Sequence, residues 1–332
     1  MGATVIGAGS WGTALAIQLA RAGHATTLWS RQAEHADKMR ETRENSRYLP
    51  GCPLPPAVAT TANLENAVGA ASEVLVCAVP SHAVREIMGA VRPWLSGETI
   101  IVSATKGIEE GTSKRMSEVI SEATGAGERV TVISGPSFAR EVAEEMPTVV
   151  TVAAKDAARA KFVQHYFASP MFRVYAVDDL IGVEIGGAVK NVIAIAAGVS
   201  DGLGLGHNTR AALITRGLAE VNRLAIRLGA DPVTVTGLSG MGDLVLTCTG
   251  SLSRNRSLGM RLGKGEKLAD ILAGMQQVAE GVRNTVAIDD MARDLDIEMP
   301  IIRQMRALLF ENQTAQDAMV QLMTRQLGPE FA

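Results

Sequence analysis

Aromatic side chains are scarce in this 332-residue sequence, cysteines are few, and neither sign of charge is in clear excess. Phe, Tyr and Trp make up 4% of the chain, so any core must be filled by Ala, Val, Ile, Leu and Met. Cys52, Cys77 and Cys248 form an odd, scattered set with no metal-ligand spacing, which excludes a disulfide scaffold and fits a reducing compartment. Lys plus Arg number 32 against 35 for Asp plus Glu, a net charge of -3. That balance points to neither a nucleic-acid partner nor an acidic membrane surface. Histidines show no metal spacing, so no metal is expected. The first twenty residues lack side-chain charge, yet they also lack the positive start of a signal peptide, and Gly2, Gly7, Gly9 and Gly12 interrupt them. No membrane insertion and a cytoplasmic location are therefore expected.

What is present is glycine and apolar periodicity. Hydrophobic residues make up 47% of the chain, an ordinary globular share, and Gly numbers 33. Ala3 to Ile6 reads as a strand that feeds directly into Gly7-Ala8-Gly9-Ser10-Trp11-Gly12, followed by a helix-forming stretch to Arg21 and a second strand, Ala25 to Trp29. In such a βαβ frame Gly7 permits a tight turn, Gly9 admits a pyrophosphate against the backbone, and Gly12 lets the helix pack on the sheet. This predicts a Rossmann-type dinucleotide-binding unit. The glycines alone do not choose between FAD and a nicotinamide cofactor.

After the second strand an NAD-binding unit usually carries an acidic residue for the ribose hydroxyls. Here the chain reads Trp29-Ser30-Arg31, better suited to a 2'-phosphate, so NADP(H) is preferred. Glu34 lies close enough that NAD(H) stays possible. Further unalternated apolar runs at Val74 to Val79, Thr99 to Ala104, Val130 to Ile133 and Val149 to Val152 read as strands of a sheet covered on both faces. Ligands in such sheets bind beyond the strand C-termini. That places Pro80-Ser81, Lys106-Gly107 and Gly135-Pro136-Ser137-Phe138-Ala139 around one crevice, with Lys106 as an anion contact and Ser137 against nicotinamide or ribose.

Near Asp179 helical periodicity takes over, as in Ile214, Leu218, Val221, Ala225 and Leu228. A division is expected between a nucleotide-binding domain, residues 1–182, and a mostly α-helical substrate-binding and catalytic domain, residues 183–332. Within the apolar run Gly186 to Gly198 stands the polar pair Lys190-Asn191. A lysine on so hydrophobic a helix is costly to bury unless paired. It is either a structural ion pair or a lysine of lowered pKa that exchanges a proton with a substrate hydroxyl. Asp243, in Ser239-Gly240-Met241-Gly242-Asp243, either orients Lys190 or caps a helix. Arg254-Asn255-Arg256 suits a phosphate or carboxylate, and Glu280-Gly281 is within reach of a ribose or amide. His82 and His207 lack an identifiable carboxylate partner and are set aside as acid/base groups.

Several long motifs occur in one order: GAGSWGTALA at the start, SATKGIE from Ser103, SGPSFARE from Ser134, GGAVKNVIAIAAG from Gly186, GLSGMGDLVLTCTGSLSRNRSLG from Gly237 and VAEGVRN from Val278. Over nearly its whole length the chain resembles the bacterial-type NAD(P)-dependent glycerol-3-phosphate dehydrogenases. The resemblance implies reduction of dihydroxyacetone phosphate to sn-glycerol 3-phosphate for phospholipid synthesis, and a helical second domain of the 6-phosphogluconate dehydrogenase-like type. It implies that Lys190 is the proton donor or acceptor and that Lys106 contacts both substrate and cofactor. Asp243, Asn191, Ser253, Arg254 and Asn255 would form the phosphate-side and lysine-supporting shell, with Thr247 in the same pocket and Gly135 and Ser137 shaping the substrate site. Ser10, Trp11, Arg31, Ala139, Arg254, Val278 and Glu280 would contact the cofactor. A homodimer is expected from the frequency of dimers among soluble enzymes. The competing readings are a related two-domain hydroxy-acid or sugar-acid dehydrogenase and a non-catalytic NADP(H) sensor.

Overall fold

The apolar run Gly2–Ile6 is the strand β1 at the heart of the sheet, with Val5 and Ile6 wholly buried. The computed structural model describes residues 2–275 and 279–330. Beside β1 lie β2 (Ala25–Trp29) and β3 (Val58–Thr61) on one side, and β4 (Val74–Cys77), β5 (Ile100–Ser103), β6 (Val130–Ser134), β7 (Thr148–Ala153) and β8 (Phe172–Val177) on the other. The order is β3-β2-β1-β4-β5-β6-β7-β8. The first six strands pair in parallel, β7 runs antiparallel to β6, and β8 is parallel to β7. Because β1 is flanked by β2 and β4, the strand order reverses there, and a crevice opens beyond its C-terminus.

The edge strand β3 and the last strand β8 are not among the strands read from sequence. Their burial alternates, buried then exposed, instead of running continuously as in β4 and β6. Only a sheet interior covered on both faces produces the unbroken apolar run that marks a strand clearly.

Beyond β8 the chain becomes helical. The helix Leu180–Gly202 is the axis of this part, buried along nearly its whole length. It is long and apolar enough to cross a membrane by composition, but 89% of its most apolar window lies inside the fold. Helices Gly206–Arg227, Asp243–Thr249, Arg254–Gly263 and Glu280–Asp294 pack around it. Gly198 and Gly259 let two of these helices approach to backbone contact: a Cβ on Gly198 would fall 2.1 Å from the Arg256 carbonyl, and one on Gly259 2.0 Å from that of Ile195. That close crossing lays the start of the Arg254–Gly263 helix beside Asn191, in the middle of the central helix.

Candidate active site

At the crevice, Gly7 has φ 114°, and a Cβ on Gly12 would fall 1.9 Å from the Gly7 carbonyl oxygen. Both glycines are sterically required. Gly9, the N-cap of the helix Ser10–Arg21, has nothing within 4 Å of where its side chain would be. Open space over a helix N-terminus, with its unpaired N–H groups, suits a pyrophosphate. The buried indole Nε1 of Trp11 finds no partner within the protein, which leaves a donor for a ligand at the same place. These residues fit a dinucleotide. Arg31 is exposed beyond β2. Ser30 is not beside it as a free hydroxyl: it is buried, and its Oγ lies 3.1 Å from His35 Nδ1.

Across the crevice the loop after β4 meets the helical part, where Ser81 Oγ donates to Glu280 Oε2 at 2.7 Å. Glu280 begins its helix, where a carboxylate is favoured by the helix dipole. Val278 lies outside the described residues. Ala139 starts a short helix after β6, half-buried.

The central helix delivers Lys190, 6% exposed, against Asp243, 1% exposed. Lys190 Nζ donates to Asp243 Oδ1 at 2.5 Å and to Thr247 Oγ1 at 2.8 Å. Lys106, from the loop after β5, donates to the other oxygen, Asp243 Oδ2, at 2.6 Å and to the Gly135 carbonyl at 3.1 Å. That carbonyl also accepts from Ser137 Oγ at 2.9 Å. One buried carboxylate thus spans two ammonium groups from opposite sides of the crevice. Burial pulls the Lys190 ammonium down, as does the charge of Lys106, while Asp243 pulls it up; the balance leaves it at about 8 instead of 10.5. A lysine poised there can both give and take a proton near neutral pH.

Asn255 Nδ2 donates to Asn191 Oδ1 at 2.9 Å, and Asn255 Oδ1 accepts from Gly281 N at 3.0 Å, so three helices are tied at the residue next to the lysine in sequence. Ser253 is the N-cap of the Arg254–Gly263 helix, its side chain accepting from Arg256 N at 3.2 Å. Arg254 is exposed at the first helical position, within electrostatic range of Glu280. Arg256 turns away to Asp201, at 2.7 Å. Of the triplet, then, Asn255 faces Asn191 and Arg254 faces Glu280, while Arg256 is drawn to Asp201. Among the described residues no group of three His, Cys, Asp or Glu side chains is placed to hold a metal ion.

Residues 2–160 match the family described as NAD-dependent glycerol-3-phosphate dehydrogenase N-terminus, and residues 179–320 match the C-terminus of the same family. The chain belongs to the NAD-dependent glycerol-3-phosphate dehydrogenase family. A relative from Citrifermentans bemidjiense, named glycerol-3-phosphate dehydrogenase with NAD(P)+ in its name, is 54% identical over 328 residues, 98% of each chain. One of the same name from Geobacter sulfurreducens is 52% identical over the same span. The crystal structure of glycerol-3-phosphate dehydrogenase from Coxiella burnetii is 42% identical, with a TM-score of 0.93 over 97% of this chain and 98% of that one. A ketopantoate reductase from Ralstonia eutropha, 16% identical with a TM-score of 0.62, shares the fold.

One buried network of this family member escaped the sequence reading. Glu184, one helical turn before the glycines ahead of Lys190, accepts from Arg115 Nη1 at 2.6 Å, Ser117 N at 2.7 Å and Ser117 Oγ at 2.7 Å. It ties the sheet's helix Met116–Thr124 to the central helix. The signal was available, because a glutamate in the apolar run IGVEIGG is as conspicuous as Lys190.

Proposed function

We propose that the protein interconverts dihydroxyacetone phosphate and sn-glycerol 3-phosphate with a nicotinamide cofactor, Lys190 exchanging the proton. The observation that carries this reading is the Asp243 carboxylate spanning Lys190 and Lys106, in a family whose description names the reaction. When bound, the reduced nicotinamide supplies the hydride for C2. Lys190 Nζ gives its proton to the C2 oxygen, and in the reverse direction it takes the proton back. Lys106 opposes the negative charge that develops on that oxygen. Arg254, Ser253 and Asn255 hold the phosphate, and this remote binding orients C2 toward the cofactor. Ser10, Trp11, Ala139, Val278 and Glu280 are assigned to the cofactor, and Gly135, Ser137, Asn191 and Thr247 to the substrate side.

Arg31 favours NADP(H), through a charge-assisted contact to the 2'-phosphate. The division between the nucleotide-binding part, residues 1–182, and the catalytic part, residues 183–332, places Lys106 in one and Lys190 and Asp243 in the other. The product would feed phospholipid synthesis in the cytoplasm, a location supported by three free, buried cysteines. A homodimer is supported by Met241, Val245 and Leu252, exposed apolar residues near one another in sequence, the first two spaced one helical turn apart.

The test is steady-state reduction of dihydroxyacetone phosphate with NADPH and with NADH, repeated with Lys190→Ala. Substrate-dependent cofactor oxidation that falls at least about a thousandfold in the variant, with cofactor affinity retained, is expected. Cofactor binding without turnover would instead make the protein a sensor, and unchanged turnover in the variant would remove Lys190 from the chemistry.

A further inference from the structure

One turn before Lys190, the central helix meets two neighbours through bare backbone. Gly186 and Gly187 precede the lysine by four and three residues and so share its helix face. A methyl group on Gly187 would lie 2.8 Å from Ser134 Oγ, and 3.5 and 3.7 Å from the Lys106 side-chain stem. On Gly186 it would meet backbone alone: the Ser239 carbonyl oxygen at 2.8 Å, Gly240 Cα at 2.9 Å and Gly240 N at 3.2 Å. The neighbour seated on Gly186 is the π-helical turn Leu238–Gly242, closed by Gly242 N donating to the Gly237 carbonyl at 3.0 Å. Single π turns inside helices recur at functional sites, where they re-aim a side chain. The next residue here is Asp243.

The turn has no slack on its other side. A Cβ on Gly240 would fall 1.9 Å from the Val235 carbonyl oxygen, so Val235 and Gly186 grip the turn between them. A short aspartate side chain on that turn must place Oδ1 on Lys190 and Oδ2 on Lys106 together. We propose that Gly186 is a positioning residue for proton transfer: its missing side chain sets how deeply the Leu238–Gly242 turn seats, and thereby lets Asp243 bridge both lysines. The inference rests on the reading of Lys190 as the proton-transfer group.

With a methyl at this position the turn must lift by a few tenths of an ångström or more, because a carbonyl oxygen at 2.8 Å has no flexible end to bend away. Asp243 then withdraws from Lys190. What remains around the ammonium is burial and the Lys106 charge, which oppose protonation, against the Thr247 hydroxyl and the buried Cys248. Lys190 therefore loses its proton at lower pH.

The experiment compares wild type with Gly186→Ala. In the variant, kcat for dihydroxyacetone phosphate reduction is expected to fall at least about tenfold, with NADPH affinity held within about threefold and the alkaline limb of the kcat profile moved down by about one pH unit. In an Asp243→Asn background the same change should cost nothing further, since it acts through that carboxylate. Wild-type kcat and pH profile in Gly186→Ala, or losses that multiply in the double variant, would overturn the proposal. Asp243→Glu tests the depth of the turn without touching the glycine: one added methylene is expected to lower kcat by at least about tenfold in a folded protein, and full activity would overturn the proposal equally. Titrating isotope-labelled Lys190 by NMR in wild type and Gly186→Ala needs no substrate. A downward shift there, in a protein that does not reduce dihydroxyacetone phosphate, would keep the positioning role and discard the reaction; no shift would discard the role.

Discussion

Replacing Lys106 by methionine keeps the length and apolar stem of the side chain and removes its charge. Two ammonium groups held by opposite oxygens of one carboxylate stand about 5 Å apart, and at an effective dielectric of about 20 they repel by about 3 kcal/mol, or about two pKa units. The Lys106 side chain keeps 18% of its surface exposed, so solvent removes part of that repulsion and about one unit is left. A second effect has the same sign: Asp243, released from Lys106, is left to Lys190 alone. The alkaline limb of kcat for dihydroxyacetone phosphate reduction, set by Lys190 at about 8, should therefore move up to about 9 or above in Lys106→Met. The plateau should fall about a hundredfold, because the oxyanion loses a facing cation. The assay is kcat at saturating NADPH, followed by cofactor absorbance between about pH 6 and 10. A limb that stays near 8 or moves lower, in a folded variant that still binds NADPH, would show that Lys190 does not feel Lys106.

Arg31→Glu should reduce the ratio of kcat/KM for NADPH to that for NADH at least about tenfold by setting a like charge against the 2'-phosphate; an unchanged ratio would place phosphate recognition elsewhere. Glu184→Ala leaves the Arg115 guanidinium without its buried carboxylate and should lower unfolding free energy by about 3–5 kcal/mol in urea titration, and a loss under about 1 kcal/mol would refute the network's importance. Glu220 accepts from Ile301 N and Ile302 N at the start of the helix Pro300–Phe310, and burial pushes it up from 4.5 to about 7. A raised folded value means that its contribution to stability is fully present below about 4.5 and is lost as pH rises through about 7. Glu220→Gln should thus be near neutral at about pH 5 and more stable than wild type by up to about 3 kcal/mol at about pH 8; a difference that does not change with pH would reject this.

The parts of the site that were legible in the sequence are those whose reason is local. Gly12 answers to the Gly7 carbonyl five residues before it and Gly7 to its own positive φ, and Lys190 stands out because a charge on an apolar helix demands a partner wherever that partner is. What local pattern left open was whether Asp243 pairs with Lys190 or caps a helix. Asp243 lies 53 residues from Lys190 and 137 from Lys106, and it is tertiary packing that brings the three together. The same limit explains Ser30, whose place after β2 suggested a phosphate contact but whose hydroxyl is taken by His35 in the next helix. It explains Arg256 as well, drawn off by Asp201 from the far end of the central helix. Helix ends shifted for a related reason: the first helix begins at Ser10, inside the glycine motif and not after it, since bare backbone at Gly9 and Gly12 allows the turn to wind early.

Two lysines share one carboxylate, and among the described residues no second carboxylate pairs with either of them. Burial first, and that imbalance after it, lower the pKa of Lys190 to about 8. In the proposed mechanism that arrangement would favour the reaction, because negative charge gathering on the substrate oxygen would meet the field of both ammonium groups already in place. A second carboxylate would raise the proton affinity of Lys190, and loss of Asp243 would lower it. In the proposed mechanism, one carboxylate between the two lysines lets Lys190 both give and take a proton near neutral pH, so that one constellation would serve both directions of the reaction.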